Sequence, residues 1–95
     1  MTHHSVMVVK RKGQRESEPF SEEKLKKSIV SACLAVRGHE GSAELTATSI
    51  AQAISLWLAN KAEVTTADIK QITHDKLQVH HPDAAYYYQQ HKHIL

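Results

Sequence analysis

The stretch VMVVKRKGQRESEPFSEEKL, residues 6–25, decides how this chain folds. It opens with an apolar, β-branched run, so residues 6–10 read as a short strand. Gly13 follows Lys12 and supplies the positive φ of a hairpin turn. Residues 14–18 read as a polar, solvent-facing return strand, and Pro19, with no N–H to give a ladder, suits its end. Ser21 then reads as a helix N-cap, with Glu22 and Glu23 in the first turn at the positive end of the helix dipole. Phe20 before the cap and Leu25 after it form a hydrophobic staple.

Working outward, Leu25, Ile29, Ala32, Cys33 and Val36 recur at helical spacing, and Gly38 stops that helix with Arg37 beside its last carbonyls. GHEGS, residues 38–42, reads as a loop. A second helix is expected from near Ser42 to near Asn60, with a wide apolar face of Leu45, Ile50, Ala51, Ile54, Trp57 and Leu58. VTTADI, residues 64–69, opens a third, capped by Thr65 or Thr66, with Asp68 in its first turn. Ile69, Ile72 and Val79 mark its buried side, with Leu77 beside them. His81-Pro82-Asp83 is a break and a restart, since proline suits the first helical position. The fourth helix carries Tyr86, Tyr87 and Tyr88, which sample three helix faces, so at least one is exposed. Trp57 and the tyrosines are expected in core or interface. The fold expected is α+β, mostly α: an N-terminal β-hairpin lid packed on a bundle of about four helices. Residues 6–95 form one domain, and residues 1–5 are a disordered N-terminus or a tag scar.

Composition narrows the functional classes. Ninety-five residues, 41% hydrophobic and 23% charged, make one domain with one modest core. A net charge of +2 does not by itself announce a nucleic-acid binder. The single cysteine, Cys33, excludes an internal disulfide and a Cys-rich zinc ribbon, and an unpaired thiol fits a reducing cytoplasm. No apolar run has membrane-spanning length, and no signal-peptide pattern opens the chain. The eight histidines include no His-x-x-x-His pair on one helical face, and surface or capping roles are expected of them. Neither G-x-x-x-x-G-K-S/T nor G-x-G-x-x-G occurs, and no Ser/His/Asp spacing forms a triad. Cys33 sits on an apolar helix face without a base. The chain is therefore not expected to be an enzyme and has no expected metal site.

One cluster has chemical content. Lys10 and Arg11 leave the first strand, and Lys24 lies one turn into the first helix, where unpaired N–H groups favour anions. Arginine grips phosphate oxygens as a fork and lysine acts as a point charge. Three cations and a helix N-terminus can hold a polyphosphate without a P-loop. A solvated charge run at a strand end is the competing reading.

VVKRKGQRESEPFSEEKLKKSI resembles the opening of the ATP-cone, the allosteric nucleotide-binding domain of ribonucleotide reductases and their transcriptional repressor. That opening has the form V-x-K-R-[DN]-G, then E-x-F-[DS]-x-x-K-[IL]. KAEVTTADIKQITHDKL is similar to the family's later V-[TS]-[TS]-x-[DE]-I segment, and HPDAAYYYQQH to its closing P-x-x-A-x-x-Y helix. Three motifs stand in order across nearly the whole chain. The resemblance implies a helical bundle under a hairpin lid that binds ATP or dATP, with Mg²⁺ as a candidate counter-ion. It implies contacts from Val8, Lys10 and Arg11 on the strand, Glu18 at the lid end, Ser21, Lys24 and Leu25 at the first helix start, and Thr66 and Lys70 on the third helix. Lys12 departs from the usual Asp or Asn, and the hairpin is about two residues longer than usual, which also brings Glu16 into consideration for the Glu18 role. No general base is placed at a γ-phosphate, so binding without hydrolysis is expected. The implied partner is a ribonucleotide reductase subunit or regulator acting in trans, or a second copy in a homo-oligomer. A nucleic-acid-binding module and an interaction domain that keeps the fold without its ligand are the alternatives. Glu16, Glu18, Glu22 and Glu23 beside the cations weigh against the first of these.

Overall fold

A computed structural model describes residues 6–9, 17–36 and 40–91. Along the chain run β1 (Met7–Val9), β2 (Ser17–Pro19), α1 (Glu22–Ala35), α2 (Glu40–Leu58), β3 (Glu63–Thr65), α3 (Thr66–His80) and α4 (Pro82–Gln90). The class is the expected one, mostly α with a small sheet on four helices. The sheet has one strand more than the sequence suggested. Its order is β2-β1-β3. Strand β1 runs antiparallel to β2, with Val8 opposite Glu18, and parallel to β3, with Val8 opposite Val64. Three residues, the last of them a helix cap, carry too little period-2 pattern to stand out as a strand; pairing with β1 is what makes β3 extended. Two flanking bonds fasten the sheet: Phe20 N–H donates to the Val6 carbonyl at 2.7 Å, and Met7 N–H to the Ala62 carbonyl at 3.0 Å.

Helix α1 starts as its sequence dictates. The Ser21 hydroxyl accepts from the Lys24 N–H at 3.2 Å, and Glu22 and Glu23 occupy the first turn. Leu25, Ile29, Ala32 and Cys33 are buried, and Phe20 and Val36 pack against the same core. Helix α2 begins two residues earlier than expected and ends at Leu58. Its core face is Ala43, Ala47, Ile50, Ala51, Ile54 and Leu58. Leu45, expected inside, is 76% exposed, and Trp57 stands 40% exposed with the Lys61 ammonium 4.5 Å from its ring centroid. Small alanines rather than Leu45 face the bundle. The Glu22 carboxylate accepts from the Ser55 hydroxyl, and Lys26 Nζ lies 2.8 Å from Glu44, so polar contacts also link α1 to α2. The hydrogen bond to Glu44 pushes the Lys26 ammonium above its usual range.

Thr65 caps α3, its hydroxyl accepting from the Asp68 N–H at 3.0 Å, and Thr66 is the first helical residue. Ile69, Thr73 and Leu77 are buried, with Ile72 packed partly against the core. Val79 is 83% exposed, a correction to the buried side expected for it. Residues two apart on a helix point ~200° apart, so Leu77 and Val79 cannot share the core face. The His81 Nδ1 caps α4 by accepting from the Ala84 N–H at 3.4 Å, with Pro82 in the first turn. Tyr88 is buried, Tyr87 half-buried and stacked on His91, and Tyr86 is exposed, as expected of a run covering three faces. Helices α1 and α2 pack as one pair, α3 and α4 as another, and α1 against α4 and α2 against α3 join them.

The two leucine-sized positions misjudged or judged well on α2 give a direct check. Ile54 is fully buried, so Ile54→Ala is expected to cost about 2–5 kcal/mol in urea unfolding. Leu45→Ala, on the exposed side, is expected to stay within about 0.5 kcal/mol of the parent.

Candidate functional site

Two helix N-termini issue from the strands that flank β1. Strand β2 ends at Pro19 and Ser21 caps α1; β3 ends at Thr65, which itself caps α3. Because β2 is antiparallel and β3 parallel to β1, α1 begins beside Val6 and α3 beside Val9. The two starts lie at opposite ends and on opposite flanks of β1, a separation of roughly 14 Å from its length and two strand spacings. The Thr66 hydroxyl donates to the Val9 carbonyl at 3.5 Å and so joins the first turn of α3 to the point where the chain leaves β1 for Lys10. Lys10 and Arg11 themselves lie outside the described residues, as do the turn around Gly13, Glu16 and the side chain of Glu18.

The remaining candidates separate by environment. Val8 and Leu25 are 2% and 1% exposed and belong to the common core. Ser21 is committed to capping α1. Lys24 is exposed, on the first turn of α1. Lys70 is half-buried and lines a cavity of about 200 Å³ between α3 and α4 with Gln71, His74, Tyr88 and Gln89. Val8 and Leu25 do not line that cavity.

A buried polar joint, which periodicity did not reveal, ties α1, α3 and α4 together. The Tyr88 hydroxyl on α4 lies 3.3 Å from the Ser28 hydroxyl on α1 and also meets Thr73 on α3. Ser28 in turn donates to the Leu25 carbonyl at 2.7 Å and Thr73 to the Ile69 carbonyl at 2.6 Å. Lys24 stands one turn before Ser28 on the same face of α1. Lys70 lines a cavity whose wall includes Tyr88. The readable signal was a hydroxyl inside each apolar stripe: Ser28 after Leu25, and Thr73 between Ile69 and Leu77. Burial raises the Tyr88 phenol above its ordinary 10.0, while Ser28 and Thr73 draw it part of the way back. Burial also raises the Cys33 thiol, which keeps it a poor nucleophile.

Among the described residues no group of three or more His, Cys, Asp or Glu side chains could hold a metal ion. No helix among them is long and apolar enough to cross a membrane. The arrangement offers dipole ends and cations, the means of binding an anion, and among the described residues it presents no nucleophile with an adjacent base.

Comparison with known proteins gives one match. The family model described as the ATP cone domain covers residues 6–93. No curated protein and no solved structure matches the chain.

The Tyr88 joint has a pH signature. A phenol held neutral by the fold binds its proton more tightly there than in the unfolded chain. Stability from this source is complete below the ordinary phenol value of 10.0 and is lost as pH rises through the raised folded value. Tyr88→Phe is expected to flatten the alkaline fall in stability above about pH 10, and to cost about 1 kcal/mol at neutral pH by leaving the two hydroxyls short of a partner. Urea midpoints measured across the alkaline range check both.

Proposed function

The chain belongs to the ATP-cone family, and from that premise we propose that it is a regulatory module whose effector is ATP or dATP, bound across β1 between the starts of α1 and α3. The family is a nucleotide-binding regulatory one. The observation that carries the placement is the bond from Thr66 to the Val9 carbonyl, which sets the N-terminus of α3 against the exit of β1. The N–H groups of that first turn and the cations of Lys10 and Arg11 are then neighbours in the chain path, and both favour phosphate. Lys70 stands one turn further along α3 and Lys24 on α1, giving four cations for a triphosphate, with Mg²⁺ as the shared counter-ion. Val8 and Leu25 are buried in the core behind this surface and back the strand and helix start against which the base would lie; Ser21 and Thr66 stand at the two helix starts, and Glu18 is assigned to the lid end.

No step of bond cleavage is part of this proposal. The nucleotide works as a ligand whose differential affinity shifts a conformational population, by ordering the hairpin against the bundle and changing the outer helical surface. A ribonucleotide reductase subunit or regulator is the class of partner that the family suggests for reading that change.

Calorimetric titration with Mg·ATP and Mg·dATP is expected to give saturable heat, and nucleotide at about 100 times Kd to add about 2.7 kcal/mol to stability. Lys10→Ala with Arg11→Ala is expected to remove that gain while leaving the helical circular dichroism unchanged. No free phosphate is expected to accumulate. An absence of heat at millimolar nucleotide would reject the reading, and an affinity falling steeply with salt, with preference for DNA over mononucleotide, would replace it by nucleic-acid binding.

A further inference from the structure

On the side of α3 away from Lys70 lies a second and larger cavity, of about 440 Å³, between the end of α2, β3 and α3. Its wall contains the Trp57 indole, Lys61, and the carboxylates of Glu63, Asp68 and Asp75. Glu63 and Asp68 are exposed, and the Asp75 side chain is 62% exposed. Asp75 accepts from the Gln71 amide at 3.0 Å and lies 3.3 Å from the His74 Nδ1, which fixes its position while leaving it open to solvent. Three carboxylates against one ammonium make this surface hostile to phosphate, so it is no extension of the nucleotide site.

The aromatic wall already holds a cation. Lys61 follows the end of α2, with its N–H on the Leu58 carbonyl at 2.9 Å, and its ammonium lies 4.5 Å from the Trp57 centroid. A half-exposed indole that engages an ammonium from its own chain, rimmed by acids, has the chemistry that recognises a cationic group. A guanidinium suits it better than an ammonium, because it is planar, more weakly hydrated, stacks on the ring and forks onto carboxylates. The cavity also touches β3, through Glu63 and Val64. Among the described residues β3 is the outer strand of the sheet on that side, so its outer edge can carry the main chain of an extended peptide.

We propose that this cavity docks an arginine side chain on a basic segment of a partner protein, with the guanidinium stacking on Trp57 in place of Lys61 and held by Glu63, Asp68 and Asp75. Lys61 is then an internal stand-in that keeps the indole covered until the partner arrives. The charge balance of the cavity argues for the basic segment, and the adjoining strand edge argues for a peptide over a free amine.

Trp57 is the one tryptophan of the chain, so tryptophan fluorescence, excited at the red edge where the three tyrosines do not absorb, reads this cavity alone. Titration of the whole protein, without nucleotide, with acetyl-Arg₃-amide is expected to give a saturable change. Acetyl-Lys₃-amide is expected to bind more weakly, and acetyl-Glu₃-amide to give none. Asp68→Asn with Asp75→Asn is expected to weaken the Arg₃ probe about fivefold or more, whereas Lys61→Gln is expected to tighten it, because the competing cation is gone. Glu63→Gln serves as the second acid variant should the double variant show a lowered thermal midpoint. No saturable change at millimolar Arg₃, an unchanged affinity in the acid variants, or an equal or weaker affinity in Lys61→Gln would each overturn the proposal. Because nucleotide is absent throughout, a failed ATP titration leaves this outcome unaffected.

Discussion

Strand β1 is three residues long, and both of its edges are paired. The placement of both helix starts follows from that. Pairing with β2 delivers the chain to Phe20 and Ser21, so the first turn of α1 is anchored within two residues of the sheet. Pairing with β3 delivers the chain to Thr65, which is at once the last strand residue and the cap of α3. Two positive helix ends are thereby attached to one strand, one at each of its ends. Their common reference is Val8, whose side chain is buried beneath the sheet.

The bundle below is held by two different kinds of contact. Between α1 and α2 the packing residues on α2 are largely small, with Ala43, Ala47 and Ala51 in the core beside Ile50, Ile54 and Leu58. Small side chains allow helices to approach closely and make each remaining isoleucine hard to replace. Across α1, α3 and α4 the contact is polar at its centre. The Tyr88 hydroxyl needs partners because it is buried, and Ser28 and Thr73 provide them from two separate helices. A satisfied polar group of this kind contributes less to net stability than to register, since only one relative placement of the three helices satisfies it.

Sequence reading succeeded where a local rule acts alone. Ser21 and Pro82 were legible because capping and proline chemistry depend on adjacent residues. The core stripe of α1 was legible because its apolar residues are few and well spaced. Leu45 and Val79 misled because size was taken for burial: Ala43 and Ala47 hold the α2 positions that face inward, and Leu77 already occupies the inward position near Val79. Strand β3 was illegible, since the pairing that defines it is with a strand at the other end of the chain. The family was legible from three ordered motifs, and its model spans residues 6–93. The joint at Tyr88, which relates α1 to α3, was not, because nothing local to a tyrosine run says which hydroxyl is inside.

The parallel pairing of Val8 with Val64 also governs how the molecule assembles. The helices can nucleate from neighbours along the chain, whereas this pair closes a loop containing both α1 and α2. Closing it is entropically costly until those helices are docked. The register of the sheet therefore depends on the docking of the two helices enclosed between its strands, and Val6, Val8 and Val64 are buried in the same core as those helices.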